Sequence, residues 1–313
     1  MEKAIYHFFK TRVSTTGGSL LLGCSGGPDS KALLYLLSSF CRKHKVRLLV
    51  AHIDHGWRKE SSLEAALLQK EVESMGWSFY LKIVDCKEFG SGNWESKGRD
   101  IRLRFFQELY CEKGVQALFL GHHADDRAEG VLKRLFEGSS FFHLGGMGTD
   151  IEMQGMRILR PLLSYPKEKI FDFLKRKGIS YFSDPTNLDP SFLRGRMRSE
   201  MLPFLQNSFG KNIGKNLCLF ADETREVVAY FSSLNRSFLE GGREGVLDLK
   251  EKLPLPEIQL RYLLREWLER QNLVFSRSIL HSAVSLLLRG GAGKFSSGSS
   301  EILIRNGVIS IIV

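Results

Sequence analysis

The 313-residue sequence contains no run of about 18 apolar residues, which argues against a membrane-spanning helix. It also lacks paired cysteines: Cys24, Cys41, Cys86, Cys111 and Cys218 are scattered, with no C-x-x-C among them. That spacing disfavours a zinc ribbon, a redox dithiol or a disulfide scaffold and predicts a reducing, cytoplasmic setting. The opening "MEKAIYHFFKTR" carries charge where a secretory leader would be apolar, so no leader is expected. No internal repeat is visible. Acidic residues are in deficit, 35 against 45 Lys and Arg, for a net charge of +10. Such an excess suits a polyanionic partner, most simply a nucleic acid.

Two familiar nucleotide fingerprints are missing as well. Counted from Gly23, the Gly-Lys of a Walker A loop would fall on Pro28-Asp29, and no G-x-G-x-x-G occurs. "GGAGK" at 290–294 fails because Leu288 stands where the first glycine belongs and Phe295 follows the lysine, so a plain loop is expected there.

What is present is an ordinary globular composition, 43% hydrophobic and 26% charged, in a chain long enough for two domains. Apolar runs of strand length alternate with helical patterns. "SLLLGC", "VRLLVAHIDH", "SFYLKIVD", "VQALFLGHH" and "MRILRPLL" read as strands, separated by helices such as "KALLYLLSSFCRKH" and "RDIRLRFFQELYCEKG". This alternation predicts a doubly wound, parallel α/β sheet, whose ligands bind beyond the strand C-termini. From about Asn212 helical periodicity dominates, and two β-rich runs flank Asn306-Gly307, a hairpin signal. The expected organisation is a catalytic domain over 1–211 and a smaller, mainly helical domain with a terminal hairpin over 212–313.

The most informative stretch is "LLLGCSGGPDSKALLYLL", Leu20 to Leu37, where "SGGPDS" joins a strand to a helix. Glycines let the backbone approach phosphate oxygens, helix-start amides point at them, and Ser25 and Ser30 add hydroxyl donors. Asp29 would repel phosphate unless Mg²⁺ lies between them or the carboxylate caps the helix. A second cluster, "GHHADDRAEG", places Asp126 and Glu129 three apart, on one face near a helix start. Paired carboxylates suit a substrate with ammonium groups and can accept a proton, although D-x-x-E is also a capping arrangement. Asp125 is expected to be a pure N-cap. Arg99 and Arg102 share a helix face, where a guanidinium could stabilise charge on a phosphate, grip a base, or be plain surface charge.

"SGGPDS" resembles the S-G-G-x-D-S loop of the PP-loop ATP pyrophosphatases. The order of "HIDHGWR", "NWESKGRDIR", "GHHADDRAEGVLKRLFEG", "LRPLL" and "DPTNLDPSFLRGRMR" is similar to that of the tRNA(Ile)-lysidine synthetase family. The resemblance implies ATP and Mg²⁺ as cofactors and free L-lysine and tRNA(Ile) with a CAU anticodon as partners. It further implies adenylation of the wobble cytidine and displacement of AMP by the lysine ε-amine, which changes codon reading from AUG to AUA. By the same resemblance Ser25, Gly26, Gly27, Pro28, Asp29 and Ser30 hold the pyrophosphate; His52, Ile53 and Asp54 lie where the second strand ends, so their backbone is expected to contact adenine. Asp29 reaches Mg²⁺ through phosphate. Asp126 and Glu129 bind lysine, and Arg102, with Glu95, joins Asp29, Asp126 and Glu129 as catalytic. Arg99, Arg194, Arg196 and Arg198 are the candidate tRNA contacts. Arg127, Gly130, Gly98 and Leu103 depart from the family pattern, and Gly130 weakens its helix by about 1 kcal/mol. The competing readings are a PP-loop thiolation enzyme, a small-molecule amidating enzyme and a non-catalytic tRNA-binding module. A homodimer stays open.

Overall fold

The computed structural model describes residues 1–56, 60–84, 94–183, 191–240, 243–297 and 300–312. Chain contacts divide it into two compact units, 1–133 with 146–218, and 134–145 with 219–313.

The first unit is built on a six-stranded sheet of β1 (Ser19–Gly23), β2 (Arg47–Asp54), β3 (Ser78–Ile83), β4 (Leu118–Leu120), β5 (Asp150–Met153) and β6 (Met156–Leu159). The order is β3-β2-β1-β4-β6-β5, parallel except for the β5 edge. The apolar runs are continuous because both faces are covered. In β1, Leu20 and Leu22 enter one core with Leu33, Leu37, Phe9 and Phe119, while Leu21 enters the opposite core with Phe106 and Leu118. Helices α1 (Glu2–Arg12), α2 (Pro28–His44), α3 (Ser61–Ser74), α4 (Trp94–Glu112), α5 (Ala124–Phe136) and α6 (Lys167–Lys177) alternate with these strands. The short α7 (Leu193–Arg196) leads through a π-turn, Met197–Met201, into α8 (Leu202–Phe209). The strand order reverses between β1 and β4, so the loops after these two strands flank one crevice, where open α/β sheets bind ligands.

Two strand expectations are corrected. "VQALFLGHH" forms a strand only over Leu118–Leu120. It leaves the sheet at Gly121, where a Cβ would lie 3.1 Å from the Asp29–Ser30 backbone. β5 was not anticipated; it turns into β6 through Gln154 and Gly155, at φ 52° and 72°, a positive-φ hairpin turn. Helix α5 runs through Gly130, whose missing Cβ would meet open space.

The second unit holds most of α9 (Ile213–Leu239), with β7 (Val246–Asp248), α10 (Glu257–Arg270), α11 (Arg277–Leu288), β8 (Gly293–Ser297), β9 (Ser300–Arg305) and β10 (Val308–Ile312). Leu260, Leu263, Leu264 and Trp267 of α10 pack against Ile302, Ile304 and Ile309. The hairpin turns at Asn306-Gly307, both with positive φ. The stretch read as a loop from Gly290 instead contributes β8, which pairs with β9 from Gly293 on. The finished sheet, β7-β10-β9-β8, is antiparallel. Among the described residues no helix is long and apolar enough to cross a membrane.

Candidate functional site

The "SGGPDS" stretch forms the turn between β1 and α2. Gly27 is the N-cap of α2, Pro28 starts its first turn, and no side chain caps the helix. Ser30 Oγ donates to the Gly27 carbonyl at 3.0 Å and lies 3.2 Å from Ser25 Oγ, so the two hydroxyls line one wall. Gly26 adopts φ +81°, and its carbonyl accepts from the Phe182 amide at 3.0 Å. A Cβ on Gly26 would stand 2.5 Å from the Phe182 ring, whereas one on Gly27 would only touch Ser25 Oγ at 3.5 Å. Gly26→Ala should therefore cost about 1–3 kcal/mol in urea unfolding and weaken ATP binding, while Gly27→Ala leaves stability nearly unchanged. Equal stability of the two variants would contradict this geometry.

Asp29 occupies the first turn of α2, with Oδ1 buried and without a hydrogen-bond partner. Burial raises its carboxyl above the ordinary range, partly opposed by His123 and Lys167. An orphaned, hard carboxylate oxygen beside a glycine turn at a helix N-terminus fits an Mg²⁺ held against phosphate.

The loop after β4 supplies the facing wall. His123 is buried between three carboxylates: Nδ1 is 3.2 Å from Asp125, and Nε2 is 3.4 Å from Asp126 and 3.7 Å from Asp29. Burial opposes its charge, but Asp125, Asp126 and Asp29 outweigh burial and raise its pKa. His122 behaves oppositely. Its Nδ1 accepts from Arg160 Nε at 3.2 Å, which requires a lone pair there, and burial with the charges of Arg160, Arg102 and Arg194 pushes its pKa down to about 4. Arg160 itself is buried, donates to the Gly148 carbonyl, and is pushed down to about 10.

The capping assignment is corrected here. Asp126, not Asp125, caps α5, accepting the His123 amide at 3.0 Å, while Asp125 accepts the Lys167 amide at 2.9 Å. The D-x-x-E pair does converge. Arg198 donates from Nη2 to Asp126 Oδ1 at 2.8 Å and from Nε to Glu129 Oε1 at 2.5 Å. Glu129 is 4% exposed; burial raises its pKa against the pull of Arg198. Of the arginines read as RNA contacts, Arg198 is thus engaged by the carboxylate pair. Arg194 lies near enough to act on His122 and Glu129, and Arg196 donates to the Ser191 carbonyl at 3.2 Å.

On the other side of β1, His52 donates from Nδ1 to the Cys24 carbonyl at 2.8 Å and stacks on Phe79. Ile53 packs toward Val84 and Ile101. Asp54 is buried; hydrogen bonds from Ser61, Gly56 and Ser62 outweigh burial and hold its carboxyl below the ordinary range. Its side chain therefore braces the turn, and the backbone of His52–Asp54 pairs with β3. Arg102 is exposed on α4 and its charge reaches His55 and His122; Arg99 is exposed and its charge reaches Arg160. Trp57, Arg58, Cys86, Asn93 and 184–190, with the side chain of Glu95, lie outside the described residues.

His123, His122, Arg160 and the clamping role of Arg198 were not anticipated. The available signal was electrostatic: two carboxylates on a helix that packs against a sheet need a cation, and "RGRMR" is an arginine-dense segment able to supply one.

A model of the PP-loop domain family matches residues 1–205. The chain is 33% identical over 297 residues to the tRNA(Ile)-lysidine synthase of Chlamydia felis, covering 94% of this chain and 92% of that protein. It is 35% identical over 298 residues to the enzyme of that name from Protochlamydia amoebophila, covering 94% of this chain but only 65% of that longer protein. Among solved structures, the U34-tRNA thiolase NcsA from Methanococcus maripaludis superposes with a TM-score of 0.59 at 17% identity, over 73% of this chain and 78% of that one, a likeness of fold.

Proposed function

The chain belongs to the PP-loop proteins and within them to the tRNA(Ile)-lysidine synthase family, and from that premise we propose that it joins free L-lysine to the wobble cytidine of a CAU-anticodon tRNA(Ile), converting ATP to AMP and pyrophosphate. The observation that carries this reading is the His123 bridge. Because Nε2 faces Asp29 at 3.7 Å and Asp126 at 3.4 Å, the phosphate-binding turn and the carboxylate pair share one crevice.

In the first step the carbonyl oxygen of the cytosine base attacks the α-phosphorus and pyrophosphate leaves. The turn at 25–30 holds the departing phosphates through backbone amides and the Ser25 and Ser30 hydroxyls. Asp29 would hold Mg²⁺ through Oδ1, and the ion's charge would offset that of the phosphates. In the second step the lysine ε-nitrogen bonds to the ring carbon that carries the adenylate, the carbon–oxygen bond breaks, and AMP leaves with its electron pair. Asp126 and Glu129 share the Arg198 guanidinium, and carboxylates gathered in this way offer acceptor oxygens to a substrate ammonium. The raised pKa of Glu129 makes it a stronger base than an ordinary carboxylate for the proton the amine loses. Arg102 and Arg194, whose charges converge on His122, are placed to meet the anionic substrate.

A thiolating enzyme needs a reactive cysteine or a cluster held by cysteines. Cys24 beside the turn is buried, which pushes its thiol up, and buried Cys41 is pushed up to about 12, making both poor nucleophiles. The test combines ATP, lysine and tRNA(Ile) transcript, measuring pyrophosphate release and the mass of the anticodon nucleoside. Release that needs tRNA and continues beyond one equivalent per enzyme only with lysine, with a cytidine heavier by one lysine less water, is the expected result. Release without tRNA would indicate small-molecule amidation, and no release a binding module; either overturns the proposal.

A further inference from the structure

Far from the crevice, the first unit carries a groove of about 910 Å³ where the start of α1 meets the C-terminal halves of α2 and α6. Its walls include Lys3, Arg42, Lys43 and Lys177, with Tyr6 and Tyr35 between them, and Glu2 is the one acid among the lining residues. Four cations thus face one carboxylate, and that carboxylate is already engaged by Arg176 and Lys177 at 3.4 and 3.5 Å. The floor, Phe9, Leu36, Phe173 and Ile179, is almost wholly buried, and the ammonium and guanidinium groups stand around it with the two tyrosine rings, Ser39 and Met75. Lys43 lies 5.0 Å over the Tyr6 ring, and Arg42 lies 5.8 Å over Trp77 while donating to the Met75 carbonyl, so these cations are held in place rather than spread into solvent.

We propose that this groove is a second RNA-contact surface, which takes the phosphate backbone of the tRNA substrate away from the reacting base. Charge complementarity favours a polyanion. Distance favours an extended one: Asp29 and Arg42 are 13 residues apart on α2, about 20 Å at 1.5 Å per residue. ATP and lysine, bound in the crevice, cannot span that separation, whereas an RNA strand can. Contacts of this kind position the substrate without reading sequence. The inference rests on the proposed RNA substrate.

The test measures binding of tRNA transcript to the full chain across a salt series, comparing wild type with the triple variant Lys3→Gln, Lys43→Gln, Lys177→Gln. Loss of three phosphate contacts should reduce the slope of log K against log salt by about 2–3 and weaken binding about tenfold or more near 0.1 M salt. The KM for ATP should stay as in wild type. An unchanged slope overturns the proposal. As a second measurement that leaves every lysine in place, Ser39→p-benzoylphenylalanine, exposed in the same groove, should photo-crosslink to tRNA. Absence of a crosslink, or its suppression by AMP but not by unlabelled tRNA, also overturns it. Lysidine formed with an unaltered salt slope defeats the groove alone. A reduced slope without lysidine defeats the reaction and leaves the groove standing.

Discussion

Asp29→Asn is expected to reduce lysine- and tRNA-dependent pyrophosphate release by about a thousandfold, while the protein becomes no less stable. A carboxylate that positions a metal–phosphate assembly contributes several kcal/mol to the transition state, and about 4 kcal/mol corresponds to three decades of rate. The stability half follows from the same residue. Oδ1 is buried without a partner and burial raises the carboxyl pKa, so at neutral pH the ionised form works against folding. A raised carboxyl pKa means that the folded state gains stability as pH falls and this acid protonates, and loses it as pH rises through the folded pKa. Asparagine removes the charge at every pH. The variant should therefore match or exceed wild type in urea unfolding at pH 7, with any gain disappearing toward acid. Retained turnover would remove Asp29 from the mechanism. Lost turnover with a collapsed fold would show that the carboxylate is structural.

Much of this arrangement can be read from the chain without coordinates, and the limits have physical causes. Leu20–Leu22 is legible as a doubly buried strand because an uninterrupted apolar run has no polar face to present to water. "SGGPDS" is legible because phosphate chemistry constrains consecutive residues. Contacts between distant segments leave no such trace: Arg198 meets Glu129 across 69 positions and Asp126 across 72. Adjacent His122 and His123 look equivalent as letters, yet one ring accepts from an arginine and the other faces three carboxylates. Strand β8 escaped notice because glycine and serine have little strand preference of their own, and pairing with β9 imposes the conformation. The same limit applied to Asp125 and Asp126. Both can cap a helix, and only the position of the Lys167 amide assigns Asp125 elsewhere.

Arg198→Met should be the most damaging single substitution in the first unit. It strips Glu129, 4% exposed, of its hydrogen-bonded guanidinium, with Arg194 and, beside Asp126, His123 still acting on the pair, and removing one partner of such a buried pair costs about 3–5 kcal/mol. Part of that cost can be recovered by protonation, because Glu129 already has a raised pKa and would rise further without the guanidinium. The variant's deficit should accordingly shrink as pH falls and grow as pH rises, in contrast to a simple packing defect. Lysine at this position restores one charge but not the two-pronged geometry that reaches both acids, so Arg198→Lys should recover stability more than turnover. The decisive construction is Arg198→Met combined with Glu129→Gln. If the guanidinium serves chiefly to balance Glu129, the double variant should be more stable than Arg198→Met alone, by about 1–3 kcal/mol in urea unfolding, yet remain inactive. A double variant no more stable than the single one would mean that Arg198 acts through packing, and the clamp would lose its role in balancing the buried Glu129 carboxylate.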